Sequence, residues 1–198
     1  MPTQVNGIEL DVLKQTIGAV QQDPELARCR FQATNRWQGG TRNLGRVGSF
    51  YAAKQDHEHA QTFEMGADEP PLLAGGDTAP NPVEHLLMAL ASCLTTSIVA
   101  HAAVRGIDIQ ELESQVEGDI DLRGFFGLAD DVPKGYQQLR AKFRVRSDAP
   151  PERLQELARF SPVFNTLLDG VDVALDIERM PLEKATTTGS SPTLTGHA

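Results

Sequence analysis

Cysteine is scarce in this chain: 198 residues carry two, Cys29 and Cys93. Two thiols in a chain of this length cannot build a disulfide framework. Positive charge is also short, with 18 Lys+Arg against 27 Asp+Glu and a formal net charge of -9. No basic cluster or stripe reverses this locally, so phosphate neutralisation fails and nucleic acid is excluded as a partner. The first residues lack a charged region followed by an apolar one, the pattern of a secretory signal. With thiols kept reduced, these absences predict a cytoplasmic protein. The length fits one domain with appended arms, large enough for a real core.

What is present falls into segments. Leu10, Leu13, Ile17 and Val20 recur at helical spacing, which predicts an amphipathic helix over residues 8–22 that ends before Pro24. Residues 1–28 read as an N-terminal helical arm. Cys29 to Trp37 alternates weakly, Gly39-Gly40 and Gly45 to Gly48 read as turn-rich, and Val47 to Ala52 resumes a strand pattern, together a hairpin. A third strand is expected near residues 61–65, followed by a loop over 66–81.

The segment from Asn81 to Val104 is the most informative. Asn81 suits an N-cap, Pro82 the first helical position, and Glu84 the capping-box carboxylate. Beyond them the helix is apolar on nearly every face. Its length would suit a membrane span, but Glu84, His85, His101 and the Ser/Thr group at 92 and 95–97 are costly in lipid, and no basic flanks orient it. We read it as the buried centre of a globular fold.

Two alternating strands follow, one acidic on its outer face (Glu117, Asp119, Asp121) and one basic (Arg140, Lys142, Arg144, Arg146), which predicts cross-strand ion pairing. Asp148 is expected to cap a short helix through Leu154, Leu157 and Ala158. Ser161-Pro162 opens another helix. Val171, Val173, Leu175 and Ile177 predict a last strand, and residues 181–198, rich in Thr, Ser, Gly and Pro, a disordered tail.

Cys93 lies too deep in the long helix for its N-terminus to lower the thiol pKa. Taken alone it reads as a small core hydrophobe. On a continuous helix it shares a face with Leu86, Ala89, Thr96 and Ser97, while Glu84 falls opposite. A reactive Cys93 therefore needs a charge from another element, and Arg36, Arg42 and Arg46 of the glycine-rich hairpin are the nearest candidates.

The run Asn81-Pro82-Val83-Glu84-His85-Leu86-Leu87-Met88-Ala89-Leu90-Ala91-Ser92-Cys93-Leu94, with the distant Ser161-Pro162-Val163-Phe164-Asn165-Thr166-Leu167, resembles the OsmC/Ohr family over roughly residues 29–180. The resemblance implies an α+β fold, antiparallel sheets wrapped around two central helices, built as an intertwined homodimer with active sites at the subunit interface. It implies thiol-dependent reduction of organic hydroperoxides: a helix cysteine is oxidised to a sulfenic acid, a second cysteine resolves it, and a hairpin arginine oriented by a glutamate stabilises the thiolate.

Position by position, Cys93 matches the peroxidatic cysteine and Arg42 the arginine. Ser161 stands at the resolving position and cannot form a disulfide; as an N-cap it has a different use. The glutamate position is Val83, and Glu84, one residue later, points about 100° away on an ideal helix. Glu84 reads as a cap, or through a local kink as the arginine's support. Turnover would then need an external thiol reductant, or Cys29, which opens a strand and reads as packing. No cofactor is implied. His57 and His59 lack a third ligand, so no metal is expected. Phe125-Phe126 either line an apolar pocket or pack on the core. The alternative to catalysis is a non-catalytic protein of the same fold that binds or senses a small apolar molecule.

Overall fold

The computed structural model describes residues 4–179, so the tail expected over 181–198 lies outside the described residues. The N-terminal arm begins with a small hairpin, β1 (Gln4–Val5) and β2 (Ile8–Glu9), and continues as helix α1 (Leu10–Gln22). Asn6 at its turn is sewn to the body: its side chain donates to the Ile107 carbonyl (3.0 Å) and accepts from the Ile109 amide (2.9 Å). Asp23 at the other end pairs with Lys54.

Four strands form an antiparallel sheet: β3 (Arg30–Phe31), β4 (Thr34–Gly39), β5 (Arg42–Ala52) and β6 (Gln55–Ala67). β5 is central, with β3 and β4 on one edge and β6 on the other. Gly45 and Gly48, expected in a turn, lie inside β5. The turn forms at the other expected place, Gly39 (φ 100°) and Gly40 (φ 58°), where glycine supplies the positive φ a tight reversal requires. The third strand is longer than expected because a register shift between Val47 and Ser49 lets β6 accommodate extra residues and continue. Cys29, expected to pack, is exposed. Pairing begins one residue later, at Arg30 opposite Tyr51, so nothing covers it.

Helix α2 (Pro82–Val104) has the expected start and length, but it is not the buried centre expected: 28% of its most apolar stretch is buried within the chain and Met88 is exposed. Strands β7 (Ile109–Ile120) and β8 (Tyr136–Ser147) form an antiparallel hairpin with a single-turn helix α3 (Leu122–Phe125) in the connection. The expected cross-strand charge pairing is present in part: Glu111 with Arg146 (2.7 Å), Glu113 with Arg144, and Arg140 with both Glu117 (2.7 Å) and Asp119, whereas Asp121 pairs with Arg123 beside it and Lys142 lies opposite Gln115. Phe125 and Phe126 do not pack on the core: both are exposed, at the end of α3.

Helix α4 (Pro151–Ala158) begins at Pro150 without a side-chain cap, which corrects the role expected of Asp148. Asp148 lies three residues before the first helical position, too early to reach the first-turn amides. Helix α5 (Pro162–Asp169) ends at Gly170. The strand expected at 171–177 is absent: Val171, Val173, Leu175 and Ile177 are all exposed and no described strand pairs with them. Alternation supplies a strand's faces but not its partner.

The core sits where α2 meets β7, α4 and α5. Leu90, Leu94, Ile98, Ala102 and Ala103 of α2 are buried there with Leu157 of α4. The loop between β6 and α2 is tightly wound, and Gly75 is its crux: a Cβ there would fall 1.7 Å from the carbonyl oxygen of Glu69, a backbone atom with nowhere to go. Gly75→Ala is expected to cost about 1–3 kcal/mol of stability, measured as a lowered urea midpoint. Arg144→Ala, which breaks an exposed pair of the ladder, should cost less than about 1 kcal/mol in the same assay.

Candidate functional site

The start of α2 is held from several sides. Asn81 accepts from the Glu84 amide (2.9 Å) while the Glu84 carboxylate accepts from the Asn81 amide (2.8 Å), a complete capping box. Glu84 is therefore occupied as a cap. His85 donates through Nε2 to the Gly66 carbonyl (2.9 Å), which fastens the first turn of the helix to the end of β6. The Tyr136 hydroxyl donates to the Val83 carbonyl (3.0 Å), and burial, followed by the negative charge of Glu84, pushes that phenol above its ordinary pKa.

Cys93 lies eleven residues into this helix, about 16 Å along its axis from Pro82. It is half-buried between buried Leu90 and Leu94, and among the described residues its sulfur has no hydrogen-bond partner. On the neighbouring face Leu86, Leu90 and Leu94 line an apolar hollow of about 450 Å³ with Tyr136, Leu139 and Phe164. Cys93 is not part of its wall.

Arg36, Arg42 and Arg46 gather in a separate concave surface on the β4–β5 hairpin, about 650 Å³ in volume, with Thr34 and Leu44 between them. The pairing register explains the gathering: Thr34 faces Arg46 and Arg36 faces Leu44, so the three guanidinium groups share one face of the ribbon. Arg46 is bound to Glu64 (2.7 Å), whereas Arg36 and Arg42 have no carboxylate within 4.0 Å among the described residues. Within one chain Cys93 and these arginines do not meet. Ser161 is fully buried and its Oγ accepts from the Phe164 amide (3.2 Å), so it caps α5. His57 and His59 stack against Phe50 in an aromatic row.

The cluster that sequence reasoning missed is centred on Asp68. This carboxylate is 1% exposed, and both its oxygens are saturated. Oδ1 accepts from the Thr41 hydroxyl (2.6 Å) and the Glu69 amide (2.9 Å). Oδ2 accepts from the Thr78 hydroxyl (2.7 Å), the Thr78 amide (3.1 Å) and the Gly76 amide (3.2 Å). The hydroxyls of Thr41 and Thr78, with these amides, hold the carboxyl well below the usual carboxylate range. Next to it, Glu69 Oε2 is buried without a partner among the described residues. The available signal was an acidic pair between a strand end and Pro70-Pro71, ahead of a Gly-Gly-Asp-Thr turn.

A model of the OsmC-like protein family matches residues 75–176, from the loop before α2 to beyond α5. The chain belongs to the OsmC-like family. A crystal structure of an OsmC-like protein from Mycoplasma pneumoniae is 18% identical and superposes with a TM-score of 0.52, over 72% of this chain and 89% of that one. A protein of Psychrobacter arcticus 273-4, provisionally described as an osmotic stress induced and detoxification response protein, is 20% identical with a TM-score of 0.51, over 68% and 85%. An organic hydroperoxide resistance protein OsmC from Legionella pneumophila is 15% identical with a TM-score of 0.45, over 69% and 89%. No curated protein matches. At these identities the likeness is one of fold: antiparallel sheets and helices in a mixed α+β arrangement, as in other members of the family.

Two outcomes follow from the geometry. Ser161→Ala removes a buried cap and should cost about 1 kcal/mol in urea unfolding, within the range for cap deletions. The Asp68 carboxyl is lowered on folding, so its contribution is full above an unfolded value of about 3.9 and is lost only as pH falls through the lower folded value. The stability difference between the parent and Asp68→Asn should therefore be constant from neutral pH down to about 4 and shrink below it, as read by denaturant titration at each pH.

Proposed function

We propose that this chain reduces organic hydroperoxides through Cys93, with an external thiol as reductant, in a reducing cytoplasmic setting. The observation that carries the reading is the placement of Cys93: half-buried at the middle of a fully capped helix, in a chain of the OsmC-like family. The Cys93 thiolate attacks one oxygen of ROOH, an S–O bond forms, the O–O bond breaks, and the alkoxide leaves as the alcohol after taking a proton. Cys93 is left as a sulfenic acid. A reductant thiol then displaces water to give a mixed disulfide, and a second thiol releases the reductant as its disulfide and restores Cys93. Ser161 takes no part in this exchange, having no sulfur and a buried structural role as a cap.

The activating charge in this reading is Arg42 of a second copy. Several features support a homodimer. α2 is apolar on nearly every face, yet 28% of its most apolar stretch is buried within the chain, and Met88 is 65% exposed. The β3–β6 sheet makes no extended contact with α2, α4 or α5 and leaves Phe31, Trp37, Phe63 and Met65 exposed. Apolar surface of this extent is unstable in water and is satisfied by a like surface on a twofold-related chain. A sheet of one copy laid over α2 of the other would bring the arginine face towards a thiol that has no partner in its own chain. A guanidinium beside the sulfur favours the thiolate.

A second reading, binding of a small apolar molecule without turnover, is favoured by the hollow between α2, β8 and α5, whose walls are mostly aliphatic and aromatic, with Gln137 and Gln138 as the polar exceptions, and exclude Cys93.

Sedimentation should give twice the chain mass of 21.5 kDa. Consumption of cumene hydroperoxide with dithiothreitol as reductant should be lost in Cys93→Ser. Arg42→Ala should slow iodoacetamide alkylation of Cys93 at neutral pH severalfold, as expected when a thiolate loses a neighbouring cation. Turnover by Cys93→Ser at the parent rate would leave the binding reading in its place.

A further inference from the structure

We propose that the Thr41–Asp68–Thr78 tie is the positioning device for Arg42, holding the arginine-bearing end of the hairpin to the loop that launches α2. The inference rests on the reading of Cys93 and Arg42 given above and assigns the residues that make their meeting reproducible.

Arg42 stands at a weak point of the sheet. It follows two glycines with positive φ and lies on the hairpin with edge strand β4, where its one backbone partner is Gly39. The ladder to β6 starts only at Asn43 opposite Ala67. Thr41 and Asp68 continue that ladder by side chain: the Thr41 hydroxyl reaches Asp68 Oδ1 across the position where backbone pairing has stopped. Arg42 is thus flanked by one residue in the ladder and one pinned to a buried carboxylate.

The other half of Asp68 faces the helix. Oδ2 holds Gly76 and Thr78, and the Asp68 amide donates to the Pro80 carbonyl (3.4 Å), one residue before the Asn81 cap. With His85 bonded to Gly66, the end of β6 and the first turn of α2 form one unit. The sheet's other surfaces make no extended contact with the helices, so this unit is where the arginine face takes its bearing from the helix. In a twofold assembly, fixing Arg42 to its own α2 also fixes it relative to the Cys93 across the interface.

The chemical composition of the tie argues for specificity. Asp68 is the one buried charged residue among the described residues. Retaining a buried carboxylate with five donors stabilises a fold no better than apolar packing does, but it accepts a single arrangement of its donors. Reactive groups misplaced by about an ångström lose much of their effect.

The test uses the full chain carrying Cys29→Ser, so that Cys93 is the one thiol, and follows iodoacetamide alkylation against pH together with thermal unfolding. Thr41→Val should slow alkylation at neutral pH about three- to tenfold, as expected when a thiolate loses its cation. Thr41→Ser, which keeps the hydroxyl, should restore the parent profile. Thr78→Val, on the other side of Asp68, should shift it in the same direction as Thr41→Val. In an Arg42→Ala background Thr41→Val should have no further effect, which a general loosening of the fold would not produce. If Arg42→Ala slows Cys93 but Thr41→Val and Thr78→Val do not, the positioning role is overturned while the Arg42–Cys93 pairing stands. If Arg42→Ala itself leaves Cys93 unchanged, the pairing and the positioning role both fall.

Discussion

The whole arrangement follows from a helix with more apolar surface than its own chain covers. α2 runs for 23 residues with apolar groups on nearly all sides. One stripe is buried by β7, α4 and α5, and the rest is open. A helix this apolar has two stable settings, lipid or a protein interior. Its polar spots, the capping box, His85 on Gly66 and Tyr136 on Val83, all anchor it to protein. The β3–β6 sheet has the complementary deficiency: its apolar groups have no helix beneath them. These two incomplete halves account for a small single-chain core.

Charge is used in two ways. Along β7 and β8, Glu111, Glu113, Glu117 and Asp119 meet Arg146, Arg144 and Arg140 in water, where each pair contributes little and the ladder mainly holds register. Asp68 is the opposite case. It is buried and saturated, and it keeps its charge because hydroxyls and amides replace water completely. A carboxylate treated this way constrains the position of every donor around it, and its donors come from both the turn before Arg42 and the loop before Asn81.

Much of this was legible in the residues. Asn81, Pro82 and Glu84 specify a helix start by local chemistry alone, as Ser161 and Pro162 do for α5, and both appear as read. The alternating acidic and basic strands paired as their charges required. The failures share a cause. Gly45 and Gly48 look like turn residues, but a neighbouring strand on each side kept β5 extended, and of the two glycine groups read as turns only Gly39-Gly40 reverses the chain. The strand at 171–177 and the packing of Cys29 needed partners that local pattern does not reveal. Asp68 was invisible because its donors come from positions 41, 69, 76 and 78, a grouping that only the folded loop creates.

Ser161, at the position where the family resemblance implies a resolving thiol, follows the same logic. A resolving cysteine must be able to reach the oxidised sulfur, so it needs space and some exposure. Ser161 has neither: it is fully buried, its Oγ is committed to the Phe164 amide, and its carbonyl accepts from Asn165. Placing a cysteine there would exchange a hydrogen-bonding cap for a poorer one and still leave the sulfur enclosed. The position has been given over to helix α5, and α5 in turn supplies Phe164, Leu167 and Leu168 to the apolar hollow. In the proposed peroxidase reading, a chain organised this way would keep its redox chemistry on one sulfur and take its second sulfur from solution, and the traffic of reductant to Cys93 would be part of the mechanism.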